Sequence, residues 1–298
     1  MTAVLHGYDD EPAQRPAGSV GKHGVLRLRL ARRGGRTELV ELYRQAPLVV
    51  QQALHYDEAA PGCACIVVVD TAGGVVQGDR YEIDARLDEH AHAYVTTQSA
   101  TRVQQMDANH ATQANRFVLA DGAYLEYLPE PIIPYRTSRF ATHTDVVLPS
   151  SATALVTEIV LPGRRYHHPG ERFGYELLSL SSRVARPDGT EVFAERYRIE
   201  PARRDPSAPA RLGGYPVFAT ALVLTPPPVA ERVLAGLPQG TDPSGWSAGA
   251  TRLPNEAGLA YKVLSHETAP ARALIRACWD ATRRAVIDRP APPPFAWR

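Results

Sequence analysis

The chain has 298 residues, of which 44% are hydrophobic and 22% are charged, a composition typical of a globular protein with a substantial core. Its 33 lysines and arginines nearly balance its 32 aspartates and glutamates, which argues against nucleic acid or an anionic membrane as a partner. No apolar run is long enough to cross a bilayer and the first residues lack the apolar core of a signal peptide, so we expect a cytoplasmic protein.

The beginning of the chain and its cysteines bound the domain organisation. Residues 1–22 are rich in proline, glycine and acidic residues, which predicts a flexible tail ahead of a single domain over 23–298. An odd number of cysteines, Cys63, Cys65 and Cys278, is typical of free thiols in a reducing compartment. Because Cys63 and Cys65 would share one face of a strand, we interpret them as two small buried side chains and not as a metal pair.

Short strands dominate the pattern from residue 24 to about residue 200. Residues 25–31 and 37–44 alternate apolar and polar side chains around a Gly-Gly pair, which predicts a β-hairpin. The run CACIVVVD that follows indicates a strand buried on both faces. Further β-rich runs follow at near-regular spacing, separated by Asp-Gly and Pro-Gly turns. This spacing predicts an all-β architecture with few helices.

The stretch 124–140, YLEYLPEPIIPYRTSRF, has the most restricted backbone of the chain. Pro129, Pro131 and Pro134 fix φ, remove hydrogen-bond donors and exclude a helix. On residue chemistry alone we interpret the stretch as an edge strand that leaves its sheet. Since a stiff strip holds its side chains in place, we expect Arg139 to pair with a carboxylate.

The clearest helix is predicted near the end of the chain, at about 266–287. Leu274, Cys278 and their neighbours recur at helical spacing, with arginines elsewhere around the helix. The proline-rich segment 290–298 that follows cannot be helical. An amphipathic helix with an apolar extension leads us to expect a surface used by a partner protein.

The local motifs of the sequence do not identify a catalytic site. The turn GGVVQGD, which ends at Asp79, has neither the Lys-Ser/Thr of a P-loop nor a helix behind it, so we exclude phosphate binding. His90 and His92 would share a strand face at a spacing acceptable for two metal ligands, but no third ligand follows from spacing. We therefore interpret both as solvated histidines.

Carboxylates on predicted strands leave one enzymatic alternative open. Two of them could converge in a groove, as in a β-helical carbohydrate-active enzyme that cleaves with paired carboxylates. The residues in question are Glu126, Glu158, Glu171 and Glu195.

Five stretches of the chain carry its most specific signal, in a fixed order: RLRLARRGGRTELVELYRQAPL in the predicted hairpin, GGVVQGD at 73–79, TTQSATRVQ at 96–104, LEYLPEPIIPYRTSRF at 125–140 and EIVLPGRRYHHPGERF at 158–173. Together they resemble the UreD family of urease accessory proteins, also called UreH. The resemblance covers roughly residues 24–200 and is specific, because five ordered motifs rarely coincide by chance.

The resemblance implies a β-helix-like stack of strands and a chaperone role without catalysis. It implies binding to urease apoprotein, action with UreF and the GTPase UreG, and no tightly bound cofactor. Nickel would pass transiently through an internal passage to the urease active site. Carboxylates facing such a passage would hold the ion weakly, and our candidates for this relay are Asp79, Glu158, Glu171 and Glu195.

Overall fold

The structure is a computed structural model that describes Leu5 and residues 21–167 and 171–293. The predicted tail over 1–22 therefore lies almost entirely outside the described residues. Strands account for 46% of the chain, and two α-helices lie late in the sequence. The elements are β1 His23–Arg33, β2 Arg36–Gln45, β3 Leu48–Val49, β4 Ala64–Asp70, β5 Arg80–Leu87, β6 His92–Thr97, β7 Thr101–Val103, β8 Ala111–Leu119, β9 Tyr124–Tyr127, β10 Ile132–Pro134, β11 Arg139–Val147, β12 Thr153–Val160, β13 Leu177–Ala185, β14 Glu191–Ile199, β15 Val217–Leu224, α1 Pro227–Ala235, β16 Gly240–Asp242, β17 Trp246–Arg252, β18 Gly258–Ser265 and α2 Thr268–Ile287.

The strands form two large sheets, and the chain visits them in turn. One sheet has seven strands in the order β14-β13-β11-β8-β5-β1-β2. Its interior neighbours run parallel, and the edge strands β2 and β14 are antiparallel. The other sheet has eleven strands, with β16-β17-β18-β15-β12-β9-β6-β4-β3 along its main path. Its strands β4, β6, β9 and β12 are parallel, and β15 to β18 join antiparallel.

The strand pairings confirm one part of the predicted architecture and not the other. The strand-rich fold with few helices is confirmed, including the β1–β2 hairpin, which turns at Gly34 and Gly35 with φ of +52° and +89°. The β-helix-like stack is not confirmed, because both sheets are mixed. At the edges of both sheets, antiparallel neighbours are connected as hairpins. A solenoid built of uniformly parallel strands contains no such hairpins.

The two sheets pack face to face over the larger apolar core. Alternate residues of each strand point into it because side chains alternate across a strand. Phe117 of the seven-stranded sheet contacts Tyr127 of the eleven-stranded sheet, with ring centroids 4.7 Å apart. On β12, Val156 and Val160 belong to this core. Glu158, at the position between them, therefore points between the sheets.

A second core lies on the opposite face of the eleven-stranded sheet, beneath the two helices. It is built from the other half of each strand, such as Leu155 of β12, and from Leu274, Ile275 and Cys278 of α2. The predicted C-terminal helix is thus confirmed. The expectation that its apolar face serves a partner is wrong for these residues, because the sheet of the same chain buries that face. Neither helix in the described part of the chain is sufficiently long and apolar to cross a lipid bilayer.

The proline-rich stretch 124–140 does not begin as an edge strand. β9 lies inside the eleven-stranded sheet between β6 and β12, and all four of its residues are buried. The edge-strand prediction is therefore wrong for β9. Pro129 and Pro131 follow the strand, so they end it without removing hydrogen bonds from its ladder.

The predicted pairing of Arg139 with a carboxylate is confirmed. Its Nε donates to Glu176 Oε2 at 2.6 Å and its Nη1 donates to the carbonyl of Asn109 at 3.1 Å. We expect Arg139→Ala to lower the free energy of unfolding by about 1–3 kcal/mol, because the Asn109 carbonyl and the Glu176 carboxylate lose a charged donor. Urea denaturation measures this change. Arg116→Ala, at an arginine with 54% side-chain exposure, is the control and should be nearly neutral.

Candidate functional site

The four carboxylates proposed for a metal relay do not form one cluster, and Asp79 is held by the protein itself. It is fully buried in the turn before β5. Its Oδ1 accepts the backbone N–H of Lys22 at 2.8 Å, and its Oδ2 accepts the N–H of Val76 at 2.9 Å and the hydroxyl of Tyr81 at 3.1 Å. With three donors on two oxygens, Asp79 fastens the glycine turn to the start of β1.

Glu171 is likewise engaged in a buried ion pair. Both of its carboxylate oxygens accept hydrogen bonds from Arg164, whose guanidinium lies 4.1 Å from the ring centroid of Tyr135. Gly163 lies against the carbonyl of Glu171, and a Cβ there would stand 2.3 Å from that oxygen. These contacts fix the loop after β12 onto the proline-rich stretch, which is a structural role.

Glu158 and Glu195 belong to a polar layer between the two sheets. Thr142 of β11 donates its hydroxyl to Glu158 Oε1 at 3.3 Å. Glu195 of β14 accepts hydrogen bonds from Lys262 Nζ at 2.7 and 3.0 Å and from the hydroxyl of Tyr197 at 3.2 Å. Lys262 also donates to the hydroxyl of Tyr197. This layer joins the seven-stranded sheet to the eleven-stranded sheet through polar groups, in a region otherwise filled by apolar side chains.

The carboxyl group of Glu158 binds a proton more tightly than an ordinary glutamate does. Burial raises its pKa to about 7, the hydrogen bond from Thr142 opposes this rise, and the nearby charge of Glu195 adds to it. The folded pKa exceeds the ordinary value of 4.5, so folding takes up a proton between these two pH values. The stability that Glu158 contributes as a protonated group is therefore lost as the pH rises to about 7.

Cavities border this polar layer. A small one of about 20 Å³ is lined by residues that include Thr97, Gln113, Asn115, Glu130 and Glu158. A large one of about 790 Å³ is lined by residues that include Tyr197, Thr220, Lys262, Arg203, Arg204 and Arg211. Glu158 thus borders the small cavity, and the partners of Glu195 border the large one. The sequence signal for this site is the single charged residue, Glu158, in the otherwise uncharged run TALVTEIV.

A second charged cluster lies on the other face of the eleven-stranded sheet, under α2. Arg283 is fully buried and donates from Nε and Nη2 to the two oxygens of Glu126 on β9, at 2.6 and 2.8 Å. Its Nη1 donates to Asp57. Burial by itself would raise the pKa of Glu126, but contacts with His92 and Arg283 outweigh burial and hold the pKa at about 2.

His92 and Cys63 complete this cluster. His92 Nε2 lies 3.6 Å from Glu126 Oε1, beyond hydrogen-bond range, and the Cys63 thiol lies 4.0 Å from Arg283 Nη2. The interpretation of Cys63 as a small buried side chain is confirmed, whereas His92 is not a solvated histidine, because only 12% of its side chain is exposed. His90 lies in the preceding turn with φ of +56° and is not part of the strand.

Comparisons with known proteins agree with the motifs of the sequence. Residues 22–298 match the family described as UreD urease accessory protein. The protein named urease accessory protein UreD 2 from Brucella canis is 46% identical over 294 residues, which cover 98% of this chain and 97% of that protein. Urease accessory protein UreD from Yersinia pseudotuberculosis is 42% identical over 297 residues, covering 99% of this chain and 92% of that protein.

Proposed function

The chain belongs to the UreD family of urease accessory proteins, and on this premise we propose that it is a chaperone, not an enzyme, that helps to insert nickel into urease. It binds urease apoprotein and acts in a complex with UreF and UreG. The match over residues 22–298 supports this proposal, because it includes every strand and both helices. Nickel is the transient cargo of this reaction and is released to the urease active site.

The route that we propose for nickel runs through the polar layer between the sheets. A hydrated divalent ion does not cross a purely apolar core, because removing its water without new ligands is very costly. Glu158, Thr142 and Glu195 supply oxygen atoms along this layer, between the small and the large cavity. Of the four relay candidates, Glu158 and Glu195 therefore remain in the proposal. Asp79 and Glu171 are assigned to structural contacts.

Glu158 suits transient binding because its protonated and ionised forms have nearly equal free energies near neutral pH. Its pKa of about 7 means that an arriving cation displaces a proton at small cost, and the proton returns when the cation leaves. Few ligands and an incompletely engaged carboxylate favour release over retention. The ammonium group of Lys262 neutralises Glu195. Glu158 and Glu195 therefore do not bind the ion jointly in a closed site.

Replacing both route carboxylates by glutamine tests the proposal. We expect Glu158→Gln with Glu195→Gln to reduce urease activation at least about tenfold, because neutral amides are poor ligands for a hard divalent ion. Urease activity is measured after co-expression with the other accessory proteins, and co-purification with UreF, UreG and apoprotein shows that the complex still assembles. Glu191→Gln, which makes the same change at an exposed position of β14, is the control and should leave activation unchanged.

Full activation by the doubly substituted chain in an assembled complex would contradict the inter-sheet route. Loss of activation together with loss of the complex would contradict it as well, since these glutamates would then be structural. Within the described residues, contacts do not favour the alternative of a carbohydrate-active enzyme. Glu126 and Glu171 are paired with arginines and Glu195 with Lys262, so free paired carboxylates in a groove are not found there.

A further inference from the structure

Three different metal-binding side chains converge beneath α2, outside the proposed nickel route. The thiol sulfur of Cys63, an imidazole nitrogen of His92 and a carboxylate oxygen of Glu126 all lie within 4.8 Å of one another. Ligand atoms of a tetrahedral zinc site lie about 3.3–3.8 Å apart, as follows from bonds of about 2.0–2.3 Å. The observed triangle therefore needs to contract by about 1 Å to enclose an ion.

His92 supplies an independent reason to expect a ligand. Its Nε2 is buried, lies 3.6 Å from Glu126 Oε1 and has no hydrogen-bond partner among the described residues. Buried polar atoms without partners are rare because they lose their hydration without compensation. The His92 ring stacks on Tyr124 with centroids 4.6 Å apart, which fixes its direction. Since 12% of the His92 side chain is exposed, this ligand also connects the cluster to solvent.

The charges of the cluster favour a divalent cation. The guanidinium of Arg283 faces two carboxylates, Glu126 and Asp57, so beside a neutral His92, the form that binds a metal, the buried group carries one excess negative charge. Loss of the Cys63 thiol proton when the metal binds brings this excess to two charges, which one divalent ion neutralises. Glu126 keeps room for a metal, because an ionised carboxylate has about four acceptor positions. The two hydrogen bonds that it accepts from Arg283 use one position on each oxygen.

We propose that Cys63, His92 and Glu126 bind a borderline divalent transition metal such as Zn²⁺, Co²⁺ or Ni²⁺, with a fourth coordination position left for water. Sulfur and imidazole ligands disfavour Mg²⁺ and Ca²⁺, which prefer oxygen. On binding, the thiol proton of Cys63 passes to solvent and the sulfur forms the metal bond. This ion is bound more tightly than the nickel cargo, so the inference departs from the expected absence of a tightly bound cofactor. It does not depend on any role in urease maturation.

Cobalt titration of the purified full-length chain tests the site, because a thiolate bound to Co²⁺ gives a charge-transfer absorption in the near ultraviolet that carboxylates and histidines alone do not give. We expect this band to saturate at one Co²⁺ per chain and to disappear when Zn²⁺ is added. Cys63→Ser should abolish the band. Cys65→Ser, at the next cysteine on the same sheet face, is the matched control and should retain it.

A second variant covers the case that Cys63→Ser does not fold. His92→Gln retains the thiol and should weaken Co²⁺ binding at least about tenfold, since even residues that only orient a metal ligand contribute that much. Circular dichroism and thermal unfolding establish that each variant is folded. The absence of a band in the native chain, its persistence in folded Cys63→Ser, or unchanged affinity in His92→Gln would each overturn the proposal.

Discussion

Arg283→Ala should lower the free energy of unfolding by about 3–5 kcal/mol, the range measured when one partner of a buried ion pair is removed. The variant leaves the Glu126 and Asp57 carboxylates in an apolar setting without their countercharge. It also removes the guanidinium that joins α2 to β9. Urea or thermal unfolding followed by circular dichroism measures the loss. Arg284→Ala, at the next position of α2, is the control and should cost less than about 1 kcal/mol because Arg284 is exposed.

A further comparison separates the cost of buried charge from the loss of packing. If unpaired carboxylates cause the destabilisation, Arg283→Met combined with Glu126→Gln and Asp57→Asn should be more stable than Arg283→Met alone. A triple variant that is less stable than the single one would show that the hydrogen bonds of the cluster, and not its charge balance, hold the helix. An Arg283→Ala loss as small as that of Arg284→Ala would contradict the buried ion pair itself.

Asp79→Ala is the second substitution with a large expected effect. It leaves the N–H groups of Lys22 and Val76 without an acceptor, whereas the hydroxyl of Tyr81 loses its shorter hydrogen bond and keeps Asp70 Oδ2 at 3.4 Å. Each donor left unsatisfied costs about 1–3 kcal/mol, so we expect the free energy of unfolding to fall by about 2–6 kcal/mol. Chemical denaturation provides the measurement. Asp84→Ala, on β5 but with 23% side-chain exposure and only long contacts to arginines, should cost much less.

Asp79→Asn distinguishes the hydrogen bonds from the negative charge. Its amide oxygen can still accept hydrogen bonds, so a loss smaller than that of Asp79→Ala is expected. Equal stability of Asp79→Ala and Asp84→Ala would contradict the structural assignment of Asp79. A normal fold of Asp79→Ala with urease activation abolished would instead return Asp79 to the nickel route.

Elements specified by neighbouring residues could be predicted from the sequence, and those that depend on distant partners could not. The hairpin, the run of strands and α2 follow from local periodicity and turn residues. The position of β9 inside a sheet depends on β6 and β12, and the prolines that suggested an edge lie just beyond the strand. Glu126 and Arg283 are 157 positions apart, and neither has a local pattern that indicates the other.

The candidate sites illustrate the same limit. Glu158 could be recognised because a charge interrupts an apolar strand, and such a charge must find partners or water inside the fold. The glycine turn before Asp79 suggests an approach to an interior passage, but the partners of Asp79 include the backbone of Lys22, 57 positions away, which no side-chain pattern encodes. The ligand set of Cys63, His92 and Glu126 comes from three strands or their ends, so spacing along the chain could not reveal it.

The ion pairs of Arg283 also have a consequence for biosynthesis, because a ribosome makes the chain in order. Asp57 and Glu126 emerge long before α2, and until α2 arrives their charges lie on a sheet face with no helix to cover it. The same face includes the apolar Leu155 and Val223, which attract other nascent chains when exposed. A chain whose synthesis stalls after β18 is therefore an aggregation-prone intermediate. Its apolar sheet face is exposed, and the carboxylates of Asp57 and Glu126 lack their arginine partner. We expect the synthesis of α2 to be the event that makes the newly made chain resistant to aggregation.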